Sequence, residues 1–127
     1  MRRLPVLLFT AALLFAGAAR ADPPYVMAPT IGASPVQVAP NNPARKRIVF
    51  VNPNATAKVA VCPAGPRRDT GVALTCAVNG AGSVTLIPYG SFTIDAGTPS
   101  GPQLSMGSAW YGIADTPSSA LTVYEFE

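Results

Sequence analysis

The side chains able to do chemistry are few in this chain. Two cysteines, Cys62 and Cys76, stand beside two basic clusters and scattered carboxylates, and histidine is absent. Without histidine there is no Ser-His-Asp or Cys-His centre and no imidazole general base. Neither Lys46 nor Lys58 follows a serine at Ser-x-x-Lys spacing, and no Asp-x-Asp-x-Asn loop offers a calcium site. A hydrolase would need carboxylates such as Asp95, Asp115 and Glu125 to converge in one cleft. The expectation is a protein that is not an enzyme and holds no metal or cofactor.

The cysteines are expected to form a disulfide in an oxidising compartment, closing a loop of about 15 residues that contributes roughly 3 kcal/mol. Two free buried thiols or a metal pair are the alternatives, and zinc would want about four ligands. Arg67 and Arg68 lie inside that loop, between Pro66 and Asp69-Thr70-Gly71, and read either as a presented recognition tip or as charges that keep a hairpin tip soluble. Arg45-Lys46-Arg47 is the densest charge cluster. It reads as a solvated strand start guarding an edge, or as a grip on phosphate, sulfated sugar or an acidic partner. Trp110 and Tyr111 are neighbours on one predicted strand, so they face opposite ways. Trp110 is assigned to the core and Tyr111 to an outer surface, where it or Tyr89 can stack on a sugar.

These residues are positioned by short apolar runs with β-branched and aromatic content, four to eight residues long and separated by Pro, Gly and Asn. The runs are Arg47–Val51, Ala57–Cys62, Gly71–Val78, Ser83–Ile87, Ser91–Asp95, Ala109–Ala114 and Leu121–Phe126. Asn52-Pro53-Asn54 is expected to turn a hairpin, Pro88-Tyr89-Gly90 links the next pair, and Gly97 to Gly107 is a long loop. In Arg47–Val51 both faces are apolar, which implies a strand covered on both sides.

The organisation along the chain follows. Met1-Arg2-Arg3, an apolar run and Ala19-Arg20-Ala21 read as a cleavable signal peptide over residues 1–21, cut between Ala21 and Asp22. Its uncharged stretch is too short to span a bilayer, so no stable membrane insertion is expected after cleavage. Residues 22–44 hold six prolines and are expected to form an extended tether with one edge strand at Val36-Gln37-Val38. Residues 45–127 are expected to form a single small antiparallel β-sandwich of jelly-roll type, so the fold class is all-β. The net charge of +3 comes from Arg2, Arg3 and Arg20, and from Asp22 onward six basic and six acidic residues balance. That balance removes the case for nucleic acid. Sparse charge favours a protein partner or self-association. Asn54-Ala55-Thr56 matches a glycosylation acceptor, a match without meaning in a bacterial periplasm.

Between Asn42 and Glu127 the order of pieces resembles small β-sandwich modules of tailed-phage and prophage virions, such as head-decoration, fibre or spike proteins. The likeness is carried by Ile48-Val49-Phe50-Val51-Asn52-Pro53, Ala57-Lys58-Val59-Ala60-Val61, Ile87-Pro88-Tyr89-Gly90-Ser91-Phe92, Ala109-Trp110-Tyr111-Gly112 and Leu121-Thr122-Val123-Tyr124-Glu125-Phe126. It implies a fold and an interaction role, with no catalytic residues to carry over. The sequence therefore points to an exported protein, periplasmic or secreted, that works as a structural or interaction module. The alternative is a ligand-binding module for carbohydrate or another envelope component.

Overall fold

The computed structural model describes residues 23–66, 70–96 and 107–127. The leader, its cleavage point at Ala21 and Asp22, the pair Arg67 and Arg68, and most of the Gly97–Gly107 stretch lie outside the described residues.

Every regular element described is a strand, and all pairings are antiparallel. The strands are β1 (Tyr25–Met27), β2 (Thr30–Ile31), β3 (Val36–Ala39), β4 (Arg47–Val51), β5 (Val59–Pro63), β6 (Val84–Leu86), β7 (Ser91–Asp95), β8 (Trp110–Ala114), β9 (Ser119–Ala120) and β10 (Thr122–Phe126). A first sheet runs β1-β10-β4-β7, a second runs β3-β8-β5-β6, and β2 pairs with β9 in a short ribbon. This is an all-β sandwich, as the apolar runs imply.

Alternation along the strands fills the space between the sheets. Ile48, Phe50 and Val123 from the first sheet meet Val59, Val61, Leu86, Trp110 and Ala114 from the second in one core. Phe50 and Trp110 touch across the layers with ring centroids 5.1 Å apart, a tilted aromatic contact that adds to simple burial. Gly112 is the small residue that lets β3 approach β8, because a Cβ there would lie 2.8 Å from Val38 Cγ1.

Three expectations need correction. Residues 22–44 are not a tether: β1 is an edge of the first sheet, β3 an edge of the second, and β2 crosses between them. The prolines sit between these short strands, where no ladder donor is lost, so the sandwich extends well before residue 45. Gly71–Val78 is not a strand and contributes one isolated bridge, Ala73 to Pro66. Asn52-Pro53-Asn54 does not close a hairpin, since β4 and β5 belong to different sheets.

Asn52 explains that crossover. Its side chain is fully buried, and its amide donates to the carbonyls of Ala57 (2.8 Å), Leu86 (3.1 Å) and Ile87 (3.0 Å). Its Oδ1 accepts from the backbone and side-chain amides of Asn54, while its N–H donates to Gly90. One side chain thus ties the exit of β4 to the entry of β5 and to the turn joining β6 to β7. Asn54 is committed as well, bonding both the N–H and the carbonyl of Ala120. Asn52→Ala is expected to cost about 3 kcal/mol, because it orphans several buried backbone groups. Asn52→Asp should cost more, since it sets a carboxylate against three carbonyl oxygens. Urea denaturation of the two variants measures both.

Candidate functional site

On β8 the alternation buries Trp110 and turns Tyr111 outward, as expected from their adjacency. Tyr111 stands between Gln37 of β3 and Cys62 of β5 on the outer face of the second sheet. Cys62 is bonded to Cys76, with Cα atoms 5.7 Å apart. The disulfide expected from the sequence is therefore present.

It fastens the excursion between β5 and β6 across the outside of the sheet. Few backbone bonds hold that excursion otherwise: Leu74 N–H to Gly65 (3.3 Å), Ala77 N–H to Ser83 Oγ (3.2 Å) and Asn79 N–H to Thr85 Oγ1 (2.8 Å). Between excursion and sheet lies a groove of about 470 Å³ lined by Pro35, Cys62, Pro63, Leu74, Cys76 and Tyr111, among others. The Tyr111 hydroxyl and Thr75 are the polar side-chain groups on its walls. Such a lining can hold an apolar or ring-shaped group by stacking and exclusion of water, and it supplies no acid, base or nucleophile.

The basic residues separate into two environments. Arg45 is buried, with only 3% of its surface exposed, so its guanidinium is not presented to a surface partner. That corrects both readings of the cluster as far as Arg45 is concerned. Burial is offset by three acceptors: the Ser108 carbonyl (2.8 Å), the Pro40 carbonyl (2.7 Å) and Glu125 Oε2 (2.8 Å). Asn42 completes the group by donating to Glu125 and to Glu127 (2.8 Å for the latter). Arg47, two residues on, points out on the other face. It pairs with Asp95 and lies 5.8 Å from the Phe126 ring centre. Its side chain keeps about half of its surface exposed, so it is the member of the cluster open to a partner.

The carboxylates do not converge. Glu125 points inward to Arg45, and Asp95 points outward to Arg47. Asp115 follows the far end of β8, where it accepts from the Lys58 N–H (2.9 Å) and the Thr116 hydroxyl (3.0 Å). Among the described residues, no three metal-ligating side chains cluster. The buried group of Arg45, Asn42 and Glu125 escaped sequence reasoning, because a basic triplet at a strand start looks the same whether its first member folds under or out.

The fold and these surfaces define a class, a disulfide-braced all-β sandwich with its polar side chains largely engaged internally. Comparison with known proteins goes no further: no family model, curated protein or solved structure matches this chain.

The two arginines should respond very differently to truncation. Arg45→Ala is expected to destabilise by about 3–5 kcal/mol, because Glu125 is left buried without its counter-charge. Arg47→Ala should cost less than about 1 kcal/mol, as an exposed pair does. Replacing both cysteines by serine should cost roughly 3 kcal/mol and loosen the excursion without unfolding the core. Equilibrium denaturation, with proteolysis mapping for the cysteine variant, checks all three.

Proposed function

We propose that this chain is an exported structural or interaction protein without chemistry of its own, docking through its surface to a larger assembly or to copies of itself. One observation carries the reading. The groups that could catalyse are engaged in the scaffold, whereas the large side chains most exposed are apolar or aromatic: Tyr25, Val26, Val36, Val72, Ile87 and Tyr89. Such a surface favours contact with another macromolecule over turnover of a substrate. The disulfide is compatible with an oxidising, exported location. The resemblance to virion modules is a particular form of the same reading, with a phage particle as the assembly.

The groove beside Tyr111 supports a second reading, a ligand-binding module for carbohydrate or another envelope component. An aromatic face in a shallow apolar groove suits a sugar ring.

Fractionation of cells and medium, followed by intact mass and sedimentation, separates the two. The first reading expects an oxidised species starting at Asp22 that travels with a larger assembly or as an oligomer. A free monomer whose affinity for envelope glycans falls at least about tenfold in Tyr111→Ala would replace it with the second.

A further inference from the structure

Sheet edges expose unpaired backbone groups, and stable proteins blunt them with proline, charge, brevity, bulges or cover. Three edges here are blunted. β1 has three residues and follows Pro23 and Pro24. β3 is flanked by Pro35 and Pro40 and shifts register between Gln37 and Ala39. β6 has three residues, and Asn79 and Ala77 of the neighbouring excursion bond the side chains of Thr85 and of Ser83 just before it.

β7 differs. It pairs with β4 over all five residues, and Ser91-Phe92-Thr93-Ile94-Asp95 contains neither proline nor a basic residue. Asn52 N–H donates to the Gly90 carbonyl (2.9 Å), and Ala96 N–H donates to the Lys46 carbonyl (2.7 Å). Residues 90, 92, 94 and 96 therefore direct their backbone groups at β4, and alternation turns those of Ser91 and Thr93 away from it. On the core side, Phe92 and Ile94 stay half-buried, as does Val84 of β6, while Ile87 beside them is 64% exposed. Together they form an apolar seam along this flank.

We propose that β7 is the edge at which a second copy of this chain adds, antiparallel, about a two-fold axis through Thr93. The inference rests on the reading that the protein acts through its surface, and it names the surface. A closed two-fold contact requires a patch complementary to itself, and β7 has that property. Thr93 meets Thr93 of the other copy at the axis, where each donates to the carbonyl of the other. Phe92 meets Ile94, an aromatic and β-branched pair, and Ser91 meets Asp95, so no like charges are opposed. Asp95 keeps its ion pair with Arg47 throughout. The balanced charge from Asp22 onward sets no net repulsion between copies. Pairing joins the two first sheets into one and covers Phe92 and Ile94 on both sides.

The test is sedimentation equilibrium of the protein as isolated from fractionated cells, compared with Thr93→Pro, Thr93→Lys and Val26→Lys. Proline at 93 removes only an outward N–H and leaves the β4 ladder whole. Lysine there sets two ammonium groups on the axis and keeps the test decisive if the proline variant loses its native circular dichroism. Val26→Lys places the same charge near the β1 edge as a control. The expected result is a dimer of the wild-type chain, a dissociation constant raised at least about tenfold in the Thr93 variants, and no change for Val26→Lys. A wild-type monomer at every concentration, or a dimer equally tight in a folded Thr93 variant, overturns β7 pairing. If such a monomer still sediments with a larger assembly, only the edge pairing falls; if it sediments alone, the docking reading falls with it.

Discussion

β4 is held at both ends by buried polar side chains, and the sandwich depends on that double fastening. At its start, Arg45 reaches Glu125 of β10 in its own sheet, and the carbonyls of Pro40 and Ser108, which flank β3 and β8 of the other. At its end, Asn52 reaches the carbonyls around β5 and β6. Hydrophobic burial is non-directional and would let the two layers slide. Hydrogen bonds have narrow geometry, and a buried donor that misses its acceptor costs about 1–3 kcal/mol. The two fastenings thus fix how the layers stack, and Phe50 against Trp110 fills the space between them.

The same economy shapes the surface. A chain with so few charged residues that commits Arg45, Glu125, Asp95 and Asp115 to internal contacts has little polarity left to show solvent. What remains outside is an apolar groove beside the disulfide, an unguarded strand edge and several exposed aliphatic and aromatic side chains. The protein's means of acting on its surroundings are those of contact, and stability and stickiness come from the same allocation of polar groups.

The layered β architecture was legible because β-branched runs bounded by proline, glycine and asparagine carry it locally. β4, β6, β7, β8 and β10 lie where those runs predict them, and the opposite orientations of Trp110 and Tyr111 follow from alternation alone. The proline-rich start was misread because proline excludes a residue from a ladder without excluding its neighbours, so three short strands passed between prolines unnoticed. Asn52-Pro53-Asn54 was recognised as a turn, but the same turn chemistry serves a hairpin and a crossover between layers. Only the distant carbonyls of Leu86 and Ile87 decide between them. Gly71–Val78 has the composition of a strand and lacks a sheet edge to join, because the disulfide pins it over a face. For the candidate site, Cys62, Cys76 and Tyr111 were legible as types. The groove they form was not, since it depends on where that excursion lies.

The pairing of β1 with β10, Tyr25 opposite Glu125 and Met27 opposite Val123, has a consequence for how the molecule is made. The first strand described waits for the last, and Arg45 likewise waits for Glu125. A ribosome that has released all but the final few residues has produced a chain in which neither the first sheet nor its ionic fastening can close. Completion of the fold is thereby coupled to completion of translation, and a product truncated before Thr122 presents unpaired strands that quality-control proteases can distinguish from the finished domain.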